Sequence, residues 1–237
     1  MQNIKPNPGR KLKVSLDGDG GEGEYLRIPI KTKLVVKEDD ILKIVKDYAA
    51  ANLKKGDILF MSEKIVAITQ GRAFPIDEIK PSKLANFLVK FVEKSPYGIG
   101  LGSPWTMELA LREVSAFRLI LGIIGAAITK PFGIKGVFYH ICGYRASAID
   151  GPGSYNIEPY NRYVILGPLN PDKVASDIKK VIGNEVVIVD SNDFGLKVLG
   201  KSNKNISDKF CEKVFQGNPI GQSKEQTPLC IVRKINH

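Results

Sequence analysis

The stretch Val186-Val187-Ile188-Val189-Asp190-Ser191-Asn192-Asp193-Phe194-Gly195-Leu196-Lys197-Val198-Leu199-Gly200 decides how this chain is read. Val186 to Val189 are β-branched and too few for a helix, so they predict a buried strand. Asp190, Ser191, Asn192 and Asp193 follow, then Gly195. Oxygen donors at the mouth of a buried strand, with a glycine that lets the backbone turn, suit a hard cation such as Mg²⁺ or Mn²⁺. The competing reading is an Asx-rich turn that closes the strand, because Asp and Asn bond to nearby backbone in turns. These residues alone do not choose between the two.

Composition narrows the class. Of 237 residues, 43% are hydrophobic and 25% charged, enough to bury the core of one large domain or two small ones. The net charge of +10 fits a nucleic-acid binder, a phosphate-rich substrate or a lysine-rich surface. The lysines run from end to end without a compact basic cluster, which favours an anionic small ligand and makes nucleic acid an unfavoured partner. Cys142, Cys211 and Cys230 are odd in number and lack metal-ligand spacing, so they read as reduced, half-buried thiols of a cytoplasmic protein. No apolar segment follows the N-terminal lysines as a secretory leader would require. The most apolar run, Leu119 to Ile128, is too short to span a bilayer and predicts a buried core helix.

Two further stretches carry chemistry. In Gly56 to Arg72, an apolar strand at Ile58–Met61 is interrupted by Ser62, Glu63 and Lys64 before Ile65–Ile68 resumes the apolar pattern. A charged pair between two buried runs is costly unless it is paired or meets a ligand. The alternative is a solvent-facing hairpin or helical turn. In Arg145 to Asn161, Asp150 precedes Gly-Pro-Gly, either a carboxylate aimed at a site or a residue of a tight turn.

The remaining elements follow from periodicity. Residues 1–24 read as a glycine-rich arm or a wide hairpin, and 25–36 as an extended segment whose Pro29 predicts an edge or a bulge. A helix capped by Asp39 or Asp40 runs to about Leu53, another opens at Pro81, and one or two helices fill Trp105 to Thr129. Gly136–Ile141 predicts a strand, and His140, one of only two histidines, is set aside as structural. Strand 163–167 leads through Asn170, as a helix cap, to a helix from Pro171. A helix over 206–216 precedes a polar cluster, Gln222, Glu225, Gln226 and Thr227, placed to cover a ligand before a closing strand at Leu229–Val232. The alternation predicts an α+β (mixed α/β) protein. Residues 1–24 form an arm and 25–237 one domain, with a sub-domain boundary near 130–140.

Taken in order, Gly56-Asp57-Ile58 through Glu63-Lys64-Ile65-Val66 to Gly71-Arg72, then Ala148-Ile149-Asp150, Leu166-Gly167-Pro168 through Pro171-Asp172, and Asp193-Phe194-Gly195 resemble the coenzyme F420-0:L-glutamate ligase (γ-glutamyl ligase) family. The resemblance implies that family's α+β fold without a P-loop, and no Gly-x-x-x-x-Gly-Lys-Ser/Thr is present. It also implies a homodimer that uses GTP, or ATP, with Mg²⁺ or Mn²⁺ to add L-glutamate to a carboxylate of F420-0 or a related acceptor through an acyl phosphate. On that reading Asp150, Asp190, Asn192 and Asp193 are metal ligands and Lys64 is the catalytic cation. Glu63, Lys64, Arg72, Gln222, Glu225 and Gln226 then bind nucleotide or substrate. The family places Asp-Thr before Phe-Gly where this chain has Asn192-Asp193, and an Arg-Pro-Trp-Arg-like segment where it has Leu196-Lys197-Val198-Leu199. The chain therefore reads as a divergent branch. A binding protein that kept the fold and lost the chemistry is the alternative.

Overall fold

The structure, a computed structural model, describes residues 12–18, 21–92, 100–134, 136–193, 195–221 and 224–235. In chain order its elements begin with β1 (Lys13–Leu16), β2 (Gly23–Ile30), α1 (Ile41–Tyr48), β3 (Ile58–Ser62) and α2 (Glu63–Thr69). There follow β4 (Ala73–Pro75), α3 (Lys83–Leu88), α4 (Pro104–Glu113), α5 (Ala116–Thr129), α6 (Val137–Cys142), α7 (Tyr144–Ser147) and β5 (Tyr163–Ile165). The chain then forms α8 (Pro171–Ile182), β6 (Glu185–Asn192), β7 (Gly195–Lys201), α9 (Asp208–Val214) and β8 (Leu229–Ile235). This is a mixed α+β protein. It divides into two compact units, one made of residues 1–70 and 168–237 and the other of 71–167. The boundary expected near 130–140 falls inside the second unit.

The first unit is built on a six-stranded sheet in the order β1-β2-β8-β3-β6-β7. Only β3 and β6 run parallel; every other neighbouring pair is antiparallel. Leu59, Phe60 and Met61 of β3, Val186–Val189 of β6 and Leu229–Val232 of β8 are buried without alternation. Strands covered on both faces have this continuous apolar pattern. On one face α9 supplies Cys211 and Val214, and Phe215 stacks on Phe60 with ring centroids 4.7 Å apart. On β6 and β7 lies α8, which also packs against α1. Gly200 permits that approach: a side chain there would collide with the backbone of Pro171 and Asp172. Asp172 then accepts a hydrogen bond from Lys201 N at 2.8 Å. The expected cap of α8 is different in kind, because Asn170 adopts φ +47° and makes no side-chain cap bond. Pro171 at the start of the helix leaves one fewer backbone donor to be satisfied there. Pro29 sits beyond the last residue of β2 that pairs with β1, Leu26, so its missing N–H costs no ladder bond on that side. The glycine-rich arm closes as the wide hairpin β1–β2; residues 1–11 lie outside the described residues.

The second unit is largely helical, with the two-stranded sheet β4–β5. Its core joins Leu88, Leu101, Met107, Leu109, Leu119 and Val164. Here the expected strand at 136–141 is a helix. Although Val137–Cys142 is rich in strand-forming residues, Gly122 and Gly125 on α5 leave a groove for it. A side chain at Gly122 would meet Cys142 and Phe138, and one at Gly125 would meet Ile141 and Val137. Packing in this groove outweighs intrinsic preference, which spans only about 1 kcal/mol per residue. The long helical stretch is two helices, α4 and α5, broken at Val114–Ser115. The expectation of a buried core helix at 119–128 is corrected. Within α5 only Leu119 and Gly122 are buried, while Ile120, Leu121, Ile124 and Ile128 are exposed.

One ion pair fastens the closing strand. Asp57, buried just before β3, accepts from Arg233 of β8 through Nε at 2.9 Å and Nη2 at 2.6 Å, and from Lys54 N at 2.7 Å. The carboxylate raises the pKa of the Arg233 guanidinium. Asp57→Asn removes a charge-assisted pair from a buried carboxylate and leaves the partly exposed Arg233 with only its bond to Asn52 O, so it is expected to cost about 2 kcal/mol in urea unfolding. A loss below about 0.5 kcal/mol, the range of ordinary surface changes, would show that the pair is not holding β8.

All three cysteines are free and buried. Burial pushes the thiols of Cys211 and Cys230 up to about 12. The unfolded thiols ionise near 8.5. Their stabilising contribution is therefore complete below about pH 8.5 and falls as pH rises towards 12, because the unfolded chain loses its protons first. Urea midpoints should decline above that pH in the native protein and less in a Cys211→Ala, Cys230→Ala variant; parallel profiles would contradict it.

Candidate functional site at the ends of the parallel strands

In the first unit, β3 and β6 are paired with Ser62 opposite Val189. Being parallel, they leave the sheet at the same edge. The antiparallel β8 enters there, with Leu229 opposite Met61 and Pro228 O accepting from Ser62 N at 2.8 Å. Residues just beyond the last paired residues of β3 and β6, Ser62 and Val189, therefore share one edge of the sheet. They are Glu63 and Lys64 from α2, Asp190 from β6, and Gln226 and Thr227 ahead of β8. Side chains at the carboxyl ends of parallel strands are where open α/β sheets place their ligands.

Each of these positions has a local cause. Ser62 ends β3 and caps α2, its Oγ accepting from Lys64 N at 3.3 Å. The interruption of the apolar pattern is thus a strand-to-helix junction, and Ile65–Ile68 continues as helix. Glu63 lies in the first turn, where a carboxylate is favoured by the backbone dipoles, and is buried. Lys64 beside it is half-buried.

The 190–193 stretch is less of a turn than expected. β6 continues through Asn192, with Asp190 opposite Lys197 and Asn192 opposite Gly195 of β7. The bulge between Ile188 and Val189 shifts the register just before it. Asn192 Oδ1 accepts from Gly195 N at 3.1 Å, so this amide also closes the hairpin. Asp193 is exposed at its tip.

Residues 217–221 and 224–227 come to the same edge, and Asn218, their anchor to β6, was not singled out by sequence reasoning. Asn218, buried with φ +46°, meets Ser191 Oγ through Oδ1 at 3.1 Å and donates from Nδ2 to Gly221 O at 2.8 Å. Thr227 Oγ1 donates to Ile220 O at 2.7 Å, and Thr32 N donates to Gln226 O at 3.1 Å. The carboxyl group of Glu225 lies over Gly221, where a side chain would displace it. These bonds tie Asn218 to the end of β6 and Gln226 to the chain just after β2, and Glu225 lies over Gly221 between them in sequence. The signal available in the sequence was Asn218-Pro219 followed by Gly221, a pattern that marks a turn. Gln222 lies outside the described residues.

The second unit holds Asp150 and Arg72. Asp150 exchanges backbone hydrogen bonds with Ile165 at 2.8 and 2.9 Å, which fixes it beside β5. Its Oδ1 accepts from Tyr155 OH at 3.4 Å, and its Oδ2 is shut away from solvent. Burial, and then the charge of Asp150, pushes the Tyr155 phenol up to about 12. Gly153 leaves room for the Tyr155 ring, and Asn156 donates to Gly151 O at 3.4 Å. Arg72 donates to Gly167 O at 2.6 Å and pairs with Glu113 Oε2 at 2.6 Å. Its guanidinium thus ties β4 to α4.

Among the described residues, no three His, Cys, Asp or Glu side chains are grouped so as to hold a metal. A cage built from protein alone is therefore not present among them. The donors at the end of β6, Asp190 and Asp193, are hard carboxylate oxygens, however. Mg²⁺ is commonly bound by one or two carboxylates, with phosphate and water filling its other positions. This donor set fits such a shared site.

No curated protein matches the chain. The sequence pattern of one family, F420-0:Gamma-glutamyl ligase, matches residues 29–198, from within β2 to within β7. That span is well over half of the 237 residues. It includes the β3–α2 junction, the whole second unit, and the end of β6, and it stops short of the 217–227 loop. On this match the chain is a member of the F420-0:gamma-glutamyl ligase family and has a ligase-type function.

Proposed function

We propose that this protein joins L-glutamate to a carboxylate of F420-0 or a related acceptor, driven by GTP, or by ATP in its place. The observation that carries the reading is the shared edge of the β3–β6 pair, which places Glu63, Lys64 and Asp190 together within the family-matched residues, with Gln226 ahead of the neighbouring β8. An acceptor carboxylate oxygen attacks the γ-phosphorus, and the bond from that phosphorus to the β–γ bridging oxygen breaks to release the nucleoside diphosphate. The amine of glutamate then attacks the acyl carbon, inorganic phosphate leaves, and the nitrogen loses a proton as the amide forms.

The side chains divide this work by charge. Lys64 offers a compact cation to the phosphate or the acceptor carboxylate. Glu63, beside it and buried, sets the local field and orients a donor on the substrate. Glu225 and Gln226 supply acceptor and amide groups from the loop, with Gln222 in the same polar segment. Asp190 and Asp193, with Asn192, would hold Mg²⁺ or Mn²⁺, which when bound neutralises phosphate charge. Within the second unit, Asp150 is proposed as an oxygen donor to metal or substrate, and Arg72 as a contact for nucleotide or substrate.

Melting-temperature titrations with GTP and ATP, each with and without Mn²⁺, test the reading. A ligand that binds only the folded form stabilises it by about 2.7 kcal/mol at a hundred times its dissociation constant. The expected result is a rise that requires nucleotide and metal together; no rise in any combination overturns the proposal. With acceptor and glutamate added, nucleotide hydrolysis should depend on both. Nucleotide binding without that turnover would instead favour a protein that kept the site and lost the reaction, a reading motivated by Asn192 serving the hairpin.

Lys64→Ala is expected to abolish the nucleotide-dependent rise while leaving the unliganded melting temperature within a few degrees of the native value. Its side chain is half-buried at a helix start and fills no core position. An undiminished rise would remove Lys64 from the site.

A further inference from the structure

The last three residues of β6 stand apart from the rest of the strand. β3 pairs with β6 only as far as Val189, and among the described residues Asp190, Ser191 and Asn192 are paired by β7 alone. A hairpin of two strands is marginal by itself, so these side chains need a restraint from outside the ladder to hold their aim. Val187 and Val189 lie in the core that α9 covers. Side chains alternate along a strand, so Ser191 continues that face while Asp190 and Asn192 turn to the other. On the Ser191 face stands Asn218, 1% exposed. Ser191 Oγ donates to Asn218 Oδ1 at 3.1 Å, and Asn218 Nδ2 donates to Gly221 O at 2.8 Å, so both ends of one buried amide are engaged. Its backbone is fixed as well, with Asn218 N donating to Phe215 O at 3.1 Å and Asn218 O accepting from Gly221 N at 3.0 Å. Phe215 is itself stacked on Phe60 of β3. A continuous path of contacts thus runs from the core through Phe215 and Asn218 to Ser191. Asn218 takes left-handed backbone at φ +46°, which Asn tolerates better than most side chains.

We propose that Asn218 is a positioning residue of the candidate site: through Ser191 it holds the end of β6 so that Asp190 and Asn192 keep the orientation in which metal and nucleotide are taken up. This rests on the proposed function and adds to it a residue outside the family-matched span, which ends at Val198. Three features distinguish this role from ordinary loop closure. The bond is made to the residue that stands between two of the proposed donors, Asp190 and Asn192. It is made where β3 no longer supports the strand. Neither Asn218 nor Ser191 lies on the donor face, so changing either one removes no ligand of metal or phosphate. Groups that orient metal ligands from behind lower metal affinity by about 10- to 100-fold when they are removed.

The test uses the full chain and three variants. Ser191→Ala removes the donor, Asn218→Gly removes the amide while keeping left-handed backbone accessible, and Ser191→Thr retains a hydroxyl on a strand-favouring side chain. Melting-temperature titrations with GTP and Mn²⁺ should give a dissociation constant raised about tenfold in each of the first two and the native value in Ser191→Thr. The Ser191→Ala, Asn218→Gly double variant should be no weaker than either single one, because both remove the same bond. Ser202→Ala is the control. Ser202 Oγ accepts from Val186 N and donates to Glu185 at the opposite end of β6, so its loss should lower the unliganded melting temperature and leave the dissociation constant unchanged. That same pattern in Ser191→Ala and Asn218→Gly would make Asn218 merely structural and overturn the proposal. Hydrogen exchange without ligand is the second measurement. Amides of residues 190–193 should exchange about tenfold faster in Ser191→Ala and Asn218→Gly than in the native protein and Ser191→Thr. Unchanged exchange overturns the proposal whatever the ligands do. A native protein with no nucleotide- and metal-dependent rise overturns the proposed function, and the exchange result alone then supports or overturns the hold of Asn218 on β6.

Discussion

The parallel pairing of β3 with β6 is the constraint from which the first unit follows. Both strands are buried on both faces, and their register places Ser62 beside Val189. A parallel pair cannot be closed by a tight turn, so the chain must travel from the end of β3 back to the start of β6. Here that return includes α2, all of residues 71–167 and α8. The second unit is, in this sense, an insertion carried by a crossover. The same parallelism puts the ends of both strands at one edge, and β8 enters between its neighbours there.

At that edge, function and folding draw on the same groups. Ser62 both stops β3 and starts α2, which sets Glu63 and Lys64 in the first turn. Asn192 closes a hairpin with the oxygen that the family resemblance assigns to a metal. Ser191 and Asn218 bind the end of β6 to a loop in left-handed backbone, and that loop brings Glu225 and Gln226. A carboxylate next to a point of backbone closure has fewer orientations to lose when a ligand arrives, which is how a site is preorganised. Arg72, in the second unit, likewise has structural partners. Its Glu113 and Gly167 partners use the guanidinium to hold the second unit together.

The apolar surface of α5 separates two meanings of hydrophobic sequence. Leu119 to Ile128 is the most apolar run in the chain, and burial is the natural expectation for it. Burial happens only on the side where Gly122 and Gly125 admit α6. The other side keeps its apolar residues in view, and composition alone cannot distinguish a residue buried by its own chain from one buried by another molecule. No helix among the described residues is long and apolar enough to cross a membrane.

Local physics was enough for much of this protein. The β-branched run Val186–Val189, the strand at Ile58–Met61, the Asp40 cap of α1 and the proline-led start of α8 are visible in the sequence, because each depends on neighbours a few residues away. The family was visible too, as an ordered set of short motifs. Tertiary structure decided what local preference left level or misjudged. Val137–Cys142 became a helix because a glycine groove accepted it, and the polar run after Val189 stayed in the sheet because β7 was there to pair with it. Asp190, Lys64 and Gln226, far apart in the chain, came to one edge through strand order and register. Those are long-range pairings, and no window of sequence contains both partners.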